Sequence, residues 1–197
     1  MKKTVLLTLA IFCFFTAVPT GVNAAELGGT TLDDTLQISG KTIDLTGTGI
    51  RTKTFLKVKV YAAGLYMENP SSDPEQIISS DQAKAMVMNF IYKKVGPEKL
   101  QESWREGFEA NTPLATPDLK NRMDQFVSLF TAPALKGDRY IFAYEPGKGT
   151  TVMLRGEVKA TIPGADFASA LMSIWFGEKL GDGGLKELKK SLLEGKK

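Results

Sequence analysis

The chain has 197 residues, with 25 lysines and arginines against 22 aspartates and glutamates, a formal charge of +3 and 43% hydrophobic residues. That length suits one globular domain, and the near-balance of charge excludes the concentrated basic footprint on which nucleic-acid binding rests. With no histidine and one cysteine, Cys13, an intrachain disulfide, a Ser-His-Asp triad, an imidazole base and a His/Cys zinc site are excluded.

Lys2 and Lys3 precede an apolar run over 5–18, and Val22-Asn23-Ala24 supplies small residues for cleavage. This is the pattern of a secretory signal peptide over residues 1–24. Pro19 and Gly21 break the run short of the roughly 20 residues that span a bilayer, so no stable membrane anchor is expected after cleavage. The leader takes Cys13 and two lysines with it, so a thiol nucleophile is excluded too. What is left is a single, nearly neutral domain over 25–197, bound for the periplasm or for secretion.

Asp33 and Asp34 read as a polar loop feature rather than a metal site. Segments 36–38 and 42–45 flank Ser39-Gly40-Lys41 as a short hairpin, and Gly47-Thr48-Gly49 marks a turn. In the stretch that follows, Leu56, Val58, Val60, Ala62 and Gly64 alternate with Lys53, Phe55, Lys57, Lys59 and Tyr61, behind Arg51. Arginine offers a rigid fork for carboxylates and phosphates, and a tyrosine hydroxyl adds a neutral donor. In one straight strand the ten steps from Arg51 to Tyr61, at about 3.3 Å each, would hold the two about 33 Å apart. Sharing a small anion therefore requires the chain to reverse, around 52–54. On residue chemistry alone the basic stripe reads as a solvated strand face and Tyr61 as packing. Ala62, Ala63 and Gly64 leave either close helix packing or room for a ligand.

Further on, Asp73-Pro74-Glu75 opens a short helix, and 85–92 is an apolar strand ending at Lys93-Lys94. Gly96-Pro97-Glu98 starts a helix with Leu100, Trp104 and Phe108 on one face. Thr116-Pro117-Asp118 starts another, striped by Leu119, Met123, Phe126, Val127 and Phe130. Strands are predicted at 139–144, 150–154 and 158–162, then helices over 167–176 and from Gly184 through Leu185, Leu188 and Leu192. The lysines of the last helix suit a solvated face. The order of strands, helices, strands and helices, without βαβ alternation, points to one α+β domain with a long antiparallel sheet. The glycines of GTGIRT lack the third glycine and crossover helix of a nucleotide loop.

Two stretches, GTGIRTKTFLKVKVYAAGLYME and IPGADFASALMSIWFGEKLGDGGLKELKKSLL, resemble the N- and C-terminal signatures of bacterial chalcone isomerase-like proteins. The resemblance implies an open-faced sandwich, with a large antiparallel sheet covered by helices on one side and by a few short strands on the other. It also implies a ligand cleft between helices and sheet. Plant enzymes of the family cyclise chalcones with an arginine and a set of polar donors. Arg51 matches the arginine, while the polar positions fall at Tyr61 and near Lys99, Glu106 and Ile174, so the donor set is not reproduced. Arginine followed by tyrosine on the next strand is similar to the noncatalytic, fatty-acid-binding branch. The resemblance therefore implies that Arg51 and Tyr61 hold the headgroup of a fatty acid or similar amphipathic anion, without cofactor or metal. The acyl chain would lie against residues such as Phe90, Trp104, Phe108, Phe126 and Trp175. A chalcone-type isomerase (an intramolecular lyase) and a structural or partner-binding envelope protein are the alternatives. Protein partners are not indicated. The spacing from Arg51 to Tyr61 also raises the expectation of a local bulge.

Overall fold

The computed structural model describes residues 24–196. Apart from Ala24, the signal peptide expected over 1–24 lies outside the described residues. The chain opens with a hairpin of β1 (Ala24–Leu27) and β2 (Thr30–Asp33), turned by Gly28 and Gly29, both at positive φ. The sheet is then built from β3 (Thr35–Ile38), β4 (Lys41–Lys53), β5 (Val58–Met67), β6 (Lys84–Phe90), β9 (Arg139–Glu145), β10 (Gly149–Leu154) and β11 (Glu157–Ile162). These seven strands are antiparallel throughout, in the order β11-β10-β9-β6-β5-β4-β3. Two short strands, β7 (Lys94–Val95) and β8 (Ala134–Leu135), pair beside it.

Helices α1 (Pro74–Ser79), α2 (Pro97–Asn111), α3 (Pro117–Ser128), α4 (Ala165–Phe176) and α5 (Gly183–Glu194) belong to the helical side. Each of the first three begins with proline at its first turn, where the missing N–H is not needed. Thr116 caps α3 through a bond from the Leu119 amide. In α4 every residue from Ala170 to Phe176 is buried, as expected of a helix enclosed on all sides. Its Trp175 meets Trp104 of α2, whose ring lies 5.3–5.7 Å from those of Phe126, Phe130, Phe142 and Trp175.

The other face of the sheet has its own smaller core. There Ala25, Leu32, Ile43 and Leu45 pack on Tyr66, Ala85 and Val87. Asn89 donates to Thr30 and Thr31, and Tyr66 to the Asp33 carbonyl, which fixes the β1–β2 hairpin in place. Central strands β5 and β6 are therefore buried on both faces. Apolar/polar alternation disappears wherever both faces are covered.

Several local expectations change. Gly47-Thr48-Gly49 is not a turn but the middle of β4, because α5 lies directly on it. A Cβ at Gly47 would fall 2.0 Å from the Leu192 carbonyl oxygen, and one at Gly49 2.7 Å from Leu188 Cδ1. The chain reverses at Thr54–Lys57 rather than 52–54, closed by a bond from the Lys57 amide to the Thr54 carbonyl. Asp33 belongs to β2 and pairs with Arg139 at 2.9 Å.

Candidate functional site

Arg51 on β4 and Tyr61 on β5 are direct partners across the ladder. Directly opposed residues project to the same face, here the helical one. One step further toward the turn the register shifts, with Thr52 opposite Lys59. Val60 is thus the extra residue of a β-bulge, and its carbonyl accepts from the amides of Ile91 and Tyr92 at 2.9 and 3.0 Å. The bulge lies beyond the pair, so it leaves Arg51 and Tyr61 side by side.

Between this part of the sheet and helices α2, α4 and α5 lies a cavity of about 610 Å³. That is within the range of about 300–1,000 Å³ common to small-molecule sites. Its apolar wall includes Val58, Val60, Met88, Phe90, Leu100, Trp104, Ile174 and Trp175. The charged lining is mostly cationic: Arg51, Lys53, Lys94, Lys99 and Lys179 against Glu106 and Asp182. Such an excess at the mouth of a low-dielectric cleft focuses a field that draws anions.

Arg51 is nearly buried, and its guanidinium is already engaged. Two parallel bonds run to Asp182, at 2.7 Å to Oδ1 and 2.6 Å to Oδ2, and a third to the Thr52 carbonyl. Asp182 is also the N-cap of α5, accepting from the Leu185 amide at 3.0 Å. Burial raises its carboxyl, but the bonds from Arg51 and Leu185 and the charges of Arg51 and Lys53 outweigh this and hold it below its ordinary value. A resident carboxylate thus sits bidentate on Arg51, the geometry a ligand carboxylate would take.

The Tyr61 hydroxyl accepts from Trp175 Nε1 at 3.1 Å, which leaves its own proton to donate. Burial raises the hydroxyl above its ordinary value, against the lowering effect of Arg51 and of the Trp175 bond. At neutral pH it is an uncharged donor.

Residues 24–194 match the family described as chalcone isomerase-like. The chain belongs to the chalcone isomerase-like family. Among solved structures of this fold it is similar to the crystal structure of the Arabidopsis thaliana fatty-acid binding protein AtFAP1. The TM-score is 0.67 at 17% identity, over 87% of this chain and 96% of that one, which is a likeness of fold. No curated protein matches the chain by sequence.

The positions expected from the sequence to line the cleft, Lys99, Trp104, Glu106 and Ile174, all line the cavity with Arg51 and Tyr61. Lys99 is half exposed and tied to Glu102 at 2.5 Å, Glu106 is exposed, and Ile174 is buried. Phe90, Trp104 and Trp175 form part of the apolar wall, but Phe108 and Phe126 do not. Phe108 lies one turn beyond Trp104 on α2 and packs on Phe126 and Phe167, inside the helical core.

Nor do Ala62, Ala63 and Gly64 make room for a ligand. A Cβ at Gly64 would lie 3.0 Å from Leu45 Cδ1 and 3.3 Å from Leu32 Cδ1, on the far face of the sheet. Ala63 is opposite Gly49, beneath α5. The residue that sequence reasoning missed is Asp182. Its place before Gly183-Gly184-Leu185 was a readable N-cap signal, but its meeting with Arg51 depends on how α5 crosses β4.

Proposed function

We propose that the protein binds a fatty acid or similar amphipathic carboxylate in this cavity without transforming it. The observation that carries the reading is the pairing of an apolar wall with a cationic, Arg51- and Tyr61-lined end in one cleft of about 610 Å³. Burial of an acyl chain contributes about 0.8 kcal/mol per methylene. The Tyr61 hydroxyl and Arg51 hold the headgroup there, with Asp182 released from or sharing the guanidinium. The likeness to a plant fatty-acid binding protein supports this ligand class, and the leader-like segment over 1–24 supports a periplasmic or secreted site of action.

Trp104 and Trp175 in the wall give the test an internal probe. Titration of delipidated protein with saturated fatty acids from octanoate to stearate is expected to change tryptophan emission saturably, and native mass spectrometry is expected to show one bound acyl species. Absence of both effects would sink the proposal. Chalcones are expected not to turn over, because Lys99, Glu106 and Ile174 do not supply the neutral donors that a developing oxyanion requires.

A further inference from the structure

The β4–β5 turn breaks a local rule. Turn corners favour Gly, Asn, Asp, Ser or Pro, yet the two corner residues of Thr54–Lys57 are Phe55 and Leu56, 91% and 70% exposed. Both flanking residues, Thr54 and Lys57, hold left-handed φ values of 68° and 51° without being glycine. A strained turn that presents two large apolar side chains to solvent is a violation expected at functional sites.

Charge surrounds this tip. Lys53 and Lys59 stand on the two strands just behind it and Lys57 ends the turn itself, and no acidic residue occurs between Arg51 and Met67. Lys57 is paired with Glu187, but that pair is well exposed on both sides. The base of the same turn is the edge of the cavity, lined by Lys53, Thr54 and Val58. Tyr92, another part of the lining, is itself partly exposed.

We infer that the Phe55-Leu56 turn docks on an anionic lipid bilayer, inserting its apolar tip while the lysines behind it engage headgroups, and so sets the cavity mouth against the membrane from which ligand is loaded or released. The inference rests on the lipid-binding reading for the role of docking, though not for docking itself. An apolar tip behind which cations are arrayed matches the layering of a membrane interface, acyl region first and phosphate region next.

The test is co-sedimentation with vesicles of phosphatidylglycerol and phosphatidylethanolamine, or of phosphatidylcholine alone. The protein used lacks residues 1–24, verified by intact mass, so that these do not carry the binding. Wild-type protein is expected to partition to the anionic vesicles, less so as salt is raised, and weakly to phosphatidylcholine. Phe55→Ser with Leu56→Ser is expected to lower partitioning about a hundredfold, since both side chains lose their apolar burial. In vesicle-free buffer the same double variant is expected to bind laurate as wild type does. Laurate binding without wild-type partitioning overturns the docking inference and leaves the tip to a protein partner. Partitioning that the double variant retains also overturns it. Partitioning without laurate binding overturns the cavity reading alone.

Discussion

Replacing Asp182 by asparagine is expected to tighten the binding of a carboxylate ligand. In the free protein the Arg51 fork is satisfied by Asp182 through bonds of 2.7 and 2.6 Å, so an incoming carboxylate meets a guanidinium whose charge is already neutralised. Asparagine keeps an oxygen for the Leu185 amide and is as good an N-cap as aspartate, so α5 retains its start while the competing charge is removed. A hydrogen bond to a charged group contributes about 1.5–3 kcal/mol and a neutral one about 0.5–1.5. The Asp182 side chain is 37% exposed, so solvent screening places the difference at the low end, about 1 kcal/mol or close to fivefold in Kd. Isothermal titration with laurate and with dodecanol separates charge from packing. Laurate should gain about fivefold in affinity, while dodecanol should be nearly unchanged. Weaker laurate binding in the variant, or equal shifts for both ligands, would refute the view that Asp182 competes for Arg51.

Other consequences can be measured in the same way. Tyr61→Phe removes the headgroup donor and the acceptor of Trp175 Nε1; laurate affinity and unfolding free energy should each fall by about 1 kcal/mol, with a shift in tryptophan emission. Gly47→Ala places a methyl 2.0 Å from the Leu192 carbonyl oxygen. Forcing α5 off β4 in this way should cost about 1–3 kcal/mol and lower Tm by several degrees, read by calorimetry. Lys84 is buried, donating to the carbonyls of Ile77, Ile78 and Ser80 near the C-terminal end of α1. Burial lowers its pKa from 10.5 to about 8, against a raising influence from Asp81. The unfolded chain therefore holds a proton there that the folded chain has lost between those values, so stability should rise with pH from about 8 toward 10.5. Tyr66 and Tyr144, both pushed up to about 12 mainly by burial, act in the opposite sense. Their contribution is present below the unfolded tyrosine value and is lost as pH climbs through the folded one. Urea unfolding across this range should show a maximum for the wild type, and Lys84→Met should lose the rising limb.

The helices were legible because local chemistry and burial agree in them. Pro97 with Leu100, Trp104 and Phe108 marks the start and the inward face of α2, and Thr116-Pro117 caps α3. Gly47-Thr48-Gly49 misled because glycine serves both turns and close packing, and only the position of α5 tells which is at work. The β1–β2 hairpin passed unread although Gly28-Gly29 is a turn signal. Its strands are four residues long and contribute few buried side chains, chiefly Ala25 and Leu32. Arg51 and Tyr61 stood out by residue type. Their neighbours in space, Asp182 and Trp175, are more than a hundred residues away in the chain, and no periodicity encodes such meetings.

The most direct measurement is a crystal structure of the protein grown with ω-bromododecanoate, located by the anomalous signal of bromine. The bromine is expected inside the cavity, away from Arg51, with the carboxylate within hydrogen-bond reach of the Tyr61 hydroxyl and the Arg51 guanidinium. Bromine density outside the cavity, or a carboxylate at the opposite end from Arg51, would contradict the proposed function.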